Sequence, residues 1–222
     1  MTYAVPVELN IVPVFYNKDI FARCGLVPPQ TFDDLKEVIR RLNEAGVTPI
    51  ALGGKDAWTL SFWFMYLVDR VGGADLLDQS IAMSRFTDPR IVEAARLTQE
   101  LVELDAFHDG FMGMSNEEAK AAFMAEKAAM FAIGTWEVPN YTTNPNVAES
   151  FKDKIGFFPF PLVEGGKGEL NNWIGGPGLG LFVAENSKVK EEAKQFVAYF
   201  VKKWGERAVT EAGIIPATKV NT

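Results

Sequence analysis

Histidine and cysteine are nearly absent from this 222-residue chain: His108 is the only histidine and Cys24 the only cysteine. A single cysteine rules out an intrachain disulfide and a cysteine-based zinc cage, and a single histidine rules out two-histidine metal sites and the H-E-x-x-H zincin pattern. Excess positive charge is also lacking. Lys plus Arg number 22 against 29 Asp plus Glu, a formal net charge of -7 that offers no broad basic face to a phosphate backbone, so nucleic acid is not an expected partner. The apolar run around Phe62 to Val68 stops at Asp69 and Arg70, well short of the roughly 20 residues a membrane helix needs. The opening MTYAVPVEL shows neither a basic region nor a long apolar stretch before a small-residue cleavage site, so no export signal is visible in this chain. Internal repeats and low-complexity segments are missing too.

What is present is the composition of a soluble globular protein, 48% hydrophobic and 23% charged, long enough for one large domain or two small ones. Tyr3 to Tyr16 reads as extended chain broken at Pro6 and Pro13. Thr31 followed by Asp34 makes a capping signal before a helix with apolar Leu35, Val38, Ile39 and Leu42, stopped at Gly46. VTPIALGG predicts a short buried strand and TLSFWFMYLVDRVGG a largely buried helix ended by Gly72 and Gly73. Asp88-Pro89 opens a further helix with Ile91, Ala95, Thr98 and Val102 on one face. Ser115 with Glu118 is a second capping box, before EEAKAAFMAE, and a strand over AAMFAIG follows. IGFFPFPL and GLGLFVAENS predict two more strands. Ser187 is then expected to cap a helix with a stripe of Val189, Ala193, Phe196, Val197, Phe200, Val201 and Trp204, before a short helix from Glu206 to Gly213. Alternating strands and helices give an α/β class with a mostly parallel sheet.

Gly176, Gly178 and Gly180 in NNWIGGPGLGLFVAENS superficially resemble a phosphate loop. A strand-like run follows them instead of a helix, no Lys-Ser or Lys-Thr pair accompanies them, and Pro177 removes a donor, so they read as a sharp bend or close backbone approach. No G-x-S-x-G elbow occurs, Cys24 reads as a small core residue and His108 as a loop or capping residue, so no catalytic residue is assigned. A glycosidase-type carboxylate pair stays open, because its members can lie anywhere in the chain. The distinctive feature is tryptophan in loops: Trp58 after GGKDA, Trp136 within GTWE, and Trp173 before the glycines. Flat aromatic faces beside amides and carboxylates suit sugar rings, and ligands of open α/β sheets bind at the carboxyl ends of strands. Trp63, Trp204, Phe196 and Phe200 lie on helical stripes and read as core.

Four stretches, in order, resemble one family. PVELNIVPVFYNKDIFARCGLVPPQTFDDLKEVIRRL resembles the hinge-crossing segment of sugar-type extracellular solute-binding proteins of ABC importers, the maltodextrin-binding-like periplasmic binding proteins. AAFMAEKAAMFAIGTWEV, GPGLGLFVAENSKVKEEAKQFVAYF and GIIPATK are similar to later motifs of that family, with Glu126 standing where glycine is usual. The resemblance implies a periplasmic-binding-protein-like (type II) α/β fold represented by one nearly complete lobe plus part of the second. Residues 1–9 would be a hinge-crossing strand, 10–165 the C-terminal-type lobe and 166–222 a partial segment of the N-terminal-type lobe, since family members carry further chain before the first crossing and after the last. It implies a ligand site in an interlobe cleft, built from Glu8, Asn10, Trp58, Trp136, Glu137, Asn172 and Trp173, with a hinge at Gly175, Gly176 and Pro177, and neither metal nor cofactor. The implied partners are a sugar or polyol and the importer's membrane subunits, with an oligomer covering the truncated surface. The implied location of the parent protein is periplasmic or extracellular, secreted or lipid-anchored. Half of a two-jaw site shields a ligand poorly, so weak binding or none is expected of this chain alone. The alternatives are a glycoside-processing enzyme on the same aromatic residues and an excised lobe that binds nothing.

Overall fold

The computed structural model describes residues 4–219, so Met1 to Tyr3, at the start of the expected crossing strand, and residues 220–222 lie outside it. The strands are β1 (Val5–Pro6), β2 (Leu9–Ile11), β3 (Val14–Asn17), β4 (Thr48–Ile50), β5 (Ala128–Ala132), β6 (Ile155–Phe158), β7 (Gly175–Pro177) and β8 (Gly180–Leu181). The helices are α1 (Lys18–Arg23), α2 (Phe32–Glu44), α3 (Ala57–Gly72), α4 (Leu76–Ala82), α5 (Pro89–Glu103), α6 (Asn116–Met124), α7 (Val138–Tyr141), α8 (Glu149–Lys152) and α9 (Lys190–Arg207). They form two compact units. Unit one comprises the chain up to Ile11, Gly134–Lys152 and the chain from Gly175; unit two comprises Val12–Ile133 and Asp153–Ile174. These boundaries differ from a division at residues 9/10 and 165/166, because the segment after β5 packs with the N-terminal strands instead of the sheet it leaves.

Unit two holds the larger core. Its sheet has the order β4-β5-β3-β6, with β4 parallel to β5 but β3 antiparallel to both β5 and β6. The expectation of a mostly parallel sheet is therefore corrected. The chain enters this unit just before β3 and leaves it just after β5, so the two paired strands run in opposite directions. β5 is buried along its whole length, and α2 covers the sheet with Phe32, Leu35, Val38, Ile39 and Leu42. Trp63 sits edge-on to Phe107 and Phe160, with 2% of its surface exposed. The face of α5 is rotated by one position from expectation: Ile91, Ala94, Leu97 and Leu101 are buried, while Val102 is exposed. Cys24 is half-buried against this core and is a free thiol, and His108 lies in a loop where burial lowers its pKa.

Both predicted capping boxes are present, at Thr31–Asp34 and Ser115–Glu118. Hydrogen bonds from Thr31 hold the Asp34 carboxylate below its ordinary range, Ser115 does the same for Glu118, and the Arg90 guanidinium pushes Asp88, the N-cap of α5, down to about 2. Depressed carboxylates bind protons more readily in the unfolded chain, so their contribution is complete above about pH 4.5 and is lost as pH falls toward 2. Far-UV circular dichroism is expected to show α2, α5 and α6 weakening in that window. An acid titration with no loss of helix between those limits would contradict this.

In unit one, β2 pairs antiparallel with β7, and β1 with β8. On the other side of the same N-terminal stretch, the Leu9 N–H donates to the Ile215 carbonyl at 3.0 Å and the Ala217 N–H to the Val7 carbonyl at 3.1 Å. The PVELNI, GGPGLGL and IIPAT stretches are thus laced together, with PVELNI central. Gly175 permits this approach: it has φ +151°, and a Cβ there would lie 2.1 Å from the Asn10 carbonyl oxygen. The strand expected from Gly178 to Ala184 is reduced to the two residues of β8.

Ser187 does not cap α9. The N-cap is Val189, whose N–H donates to the Ser187 hydroxyl at 3.3 Å, and α9 continues to Arg207, where it passes directly into a π-helical stretch over Ala208–Ala212 that ends at Gly213 as expected. The predicted α9 stripe is apolar but only partly covered: Ala193, Val197, Phe200 and Trp204 are half-buried. Val201 is buried, whereas Phe196 is 62% exposed, and Phe200 and Trp204 stack along the helix surface at 6.0 Å. Periodicity had placed Phe196, Phe200 and Trp204 in a core; Phe200 and Trp204 are half-buried, whereas Phe196 is exposed.

Candidate functional site

The chain leaves unit two after β5 and Ile133 and enters unit one at Gly134, followed by a single 3-10 turn, Thr135–Glu137, and then α7. Thr135 is buried and clips this turn to β2: its Oγ1 accepts the Ile11 N–H at 3.2 Å and donates to Asn10 Oδ1 at 3.3 Å. Asn10 in turn donates its amide to Glu8 Oε2 at 3.5 Å. Glu8, Asn10 and Thr135 therefore form one hydrogen-bonded row beside the turn that carries Trp136. The indole of Trp136 packs against Gly134, where a Cβ would fall 2.0 Å from ring atom Cζ3, and 37% of the residue is exposed. Glu137 points inward, with 5% exposed, and accepts the Asn140 amide at 2.8 Å. Burial, reinforced by the Glu137 charge, raises the pKa of Tyr141 so that its hydroxyl stays neutral.

In unit two, Trp58 occupies the first turn of α3, after the loop that leaves β4. Two contacts fix that loop. Asp56 Oδ2 accepts the Asn116 N–H at 2.7 Å, and the buried Thr59 hydroxyl lies 2.8 Å from both the Gly53 and Asp56 carbonyl oxygens. Trp58 is 43% exposed and edge-on to Phe62 at 5.5 Å. Trp173 is half-buried and sits two residues before β7, so it lies at the amino end of a strand, unlike Trp58 and Trp136, which follow the carboxyl ends of β4 and β5. Asn172 is already engaged: its side-chain amide donates to Asp69 Oδ1 at 3.1 Å, and its carbonyl accepts Arg70 Nη2 at 3.1 Å.

The expected residues thus fall into two sets, Glu8, Asn10, Trp136 and Glu137 in unit one and Trp58, Asn172 and Trp173 in unit two, with Gly175, Gly176 and Pro177 forming β7. Sequence reasoning missed Thr135, Asp56, Asp69 and Arg70. For the last pair a signal existed, since two charges end an otherwise apolar helical run. Among the described residues no three His, Cys, Asp or Glu are grouped to hold a metal, and no helix is long and apolar enough to cross a membrane. None of the expected residues lines a groove of unit one, an open space of about 1000 Å³ between the β1–β8 ribbon and α9.

Two held but solvent-facing tryptophan loops and a glycine-bearing ribbon are features of a ligand receptor. The sequence model of the bacterial extracellular solute-binding proteins matches residues 1–203. The chain belongs to that family. Relatives within the family include the multiple sugar-binding protein of Streptococcus mutans, 29% identical over 89% of this chain and 46% of its own length. Another is the melibiose/raffinose/stachyose-binding protein MelE of Bacillus subtilis, 24% identical over 99% of this chain and 51% of its own. Among solved structures, a protein studied for xylan utilization by Caldanaerobius polysaccharolyticus superposes with a TM-score of 0.90 at 33% identity, covering 98% of this chain and 55% of that one. A chitin oligosaccharide binding protein superposes with a TM-score of 0.87 at 27% identity, covering 99% and 55%. The fold is accordingly the periplasmic-binding-protein-like α/β fold of these receptors, and the chain spans about half the length of the relatives it matches.

Glu126, which follows α6, adopts φ +58°, a left-handed conformation uncommon for a residue with a side chain, and its carboxylate is anchored by Lys154 at 2.8 Å and by Asn17 at 3.0 Å.

Proposed function

We propose that this chain is part of a carbohydrate receptor that presents its solute to an ABC importer outside the cytoplasmic membrane, and that it is not an enzyme. The observation that carries the reading is the pair of rigidly seated, partly exposed tryptophans, Trp136 on its Thr135 clip and Trp58 on its Asp56-bound loop. Each offers a flat apolar face for the C–H side of a sugar ring, and Trp173 adds a third. Membership of the solute-binding family and the sugars named for several relatives support the same ligand class. Glu8 and Asn10 supply polar groups for hydroxyls, with charge-assisted bonds from the carboxylate. In this reading Gly175, Gly176 and Pro177 belong to the hinge, and the two compact units derive from different lobes.

The glycosidase alternative is disfavoured by Glu137, which is buried and bound to Asn140. The protein partners assigned are the importer's membrane subunits and a second copy over the surface around β8. Calorimetric titration with raffinose, stachyose, xylo-oligosaccharides and chito-oligosaccharides is expected to show saccharide binding, weak for this chain, with no release of chromophore from nitrophenyl glycosides. Binding only of amino acids or peptides, or glycoside turnover lost in Glu137→Gln, would contradict the proposal.

A further inference from the structure

Within α3, Arg70 is 1% exposed and Asp69 6% exposed, in a helix whose neighbouring positions are packed into the apolar core. Such a pair is an expensive choice, because an apolar pair of similar volume is often at least as stabilising. The partners of the two side chains show what the pair holds. The guanidinium lies over the rings of Tyr66 and Phe160 at 5.3 and 6.0 Å, donates twice to the Phe160 carbonyl at 3.2 and 3.0 Å, pairs with Asp69, and donates to the Asn172 carbonyl at 3.1 Å. Asp69 receives the Asn172 amide, and the Arg70 backbone carbonyl receives the Gly168 N–H at 3.1 Å. Three points of the 160–172 segment are therefore fastened to one turn of α3. On the far side of Trp173, the Ile174 carbonyl accepts the Val12 N–H at 2.9 Å, and the Val12 carbonyl is held by the Tyr66 hydroxyl. Trp173 is the single residue between these two anchors.

We infer that Asp69, Arg70 and Asn172 are positioning residues that fix the backbone leading into Trp173, while Val12 and Tyr66 hold the Ile174 side, so that its indole is presented in one orientation to a sugar ring, an inference that rests on the carbohydrate reading above. Asn172 then serves the site through Trp173 and not by contacting ligand through its amide N–H groups. Pre-setting an aromatic platform reduces the ordering that binding requires.

The test uses Asn172→Ala, which keeps the backbone carbonyl for Arg70 and removes only the amide held by Asp69, with Arg70→Lys as a second variant. Indole N–H signals are followed by NMR, assigned by single Trp→Phe replacements, first without ligand and then with millimolar stachyose or chitotriose. In Asn172→Ala the Trp173 indole is expected to gain fast motion in relaxation measurements and to lose its saccharide-induced shift, while Trp58, on the same unit, keeps its own. Unchanged Trp173 motion and response in both variants would overturn the clamp. An absence of any saccharide-induced shift at Trp58, Trp136 and Trp173 in the unaltered protein would sink the carbohydrate reading instead, and the ligand-free relaxation comparison would still decide the clamp.

Discussion

Arg70→Met is expected to destabilise the protein by about 3–5 kcal/mol, the usual result of removing one partner from a buried ion pair. The replacement leaves the Asp69 carboxylate in the interior without its cation and strips donors from the Phe160 and Asn172 carbonyls. For a chain of this length each kcal/mol moves the melting temperature by roughly 2–4 °C, so scanning calorimetry is expected to show a drop of about 10 °C. Asp69→Leu combined with Arg70→Met removes both charges together and is expected to recover a substantial part of the loss. A single replacement costing less than about 1 kcal/mol would mean that the pair is not a structural anchor.

Trp63→Ala and Trp58→Ala are expected to separate stability from function. Trp63 is enclosed by Phe107 and Phe160, and its truncation is expected to cost about 3–5 kcal/mol through lost contacts and a residual cavity. Trp58 has a large exposed face, so its truncation is expected to change stability by less than about 1 kcal/mol while removing its part in saccharide binding. Urea unfolding and saccharide titration of the two variants in parallel check this. Equal destabilisation by both would show that Trp58 is simply core.

The sequence spoke clearly where local chemistry decides structure. Thr31 with Asp34 and Ser115 with Glu118 form their caps because the interaction lies within one turn of chain. Periodicity identified the apolar side of α9 but carried no information about what lies over it, so Phe196 emerged exposed. On α5, Ala95 and Thr98 are small enough to fit either face, and the buried row proved to run through Ala94 and Leu97. The direction of β3 depends on where the chain enters and leaves unit two, which no window of residues encodes. The candidate site was legible in its aromatics and not in its supports. Trp58, Trp136 and Trp173 stand out as tryptophans in loops, whereas Thr135, Asp56 and Arg70 act through partners that are distant in sequence.

The most direct test of carbohydrate binding is residue-resolved. Indole N–H signals of the five tryptophans are recorded by NMR while raffinose, stachyose, xylotriose and chitotriose are added to millimolar concentration, with amino acids and a dipeptide as controls. At least one saccharide is predicted to shift the signals of Trp58, Trp136 and Trp173 in a saturable manner while leaving buried Trp63 in place. No saccharide response at any of the three, or shifts produced only by the amino acids or the dipeptide, would contradict assignment of this chain to a sugar receptor.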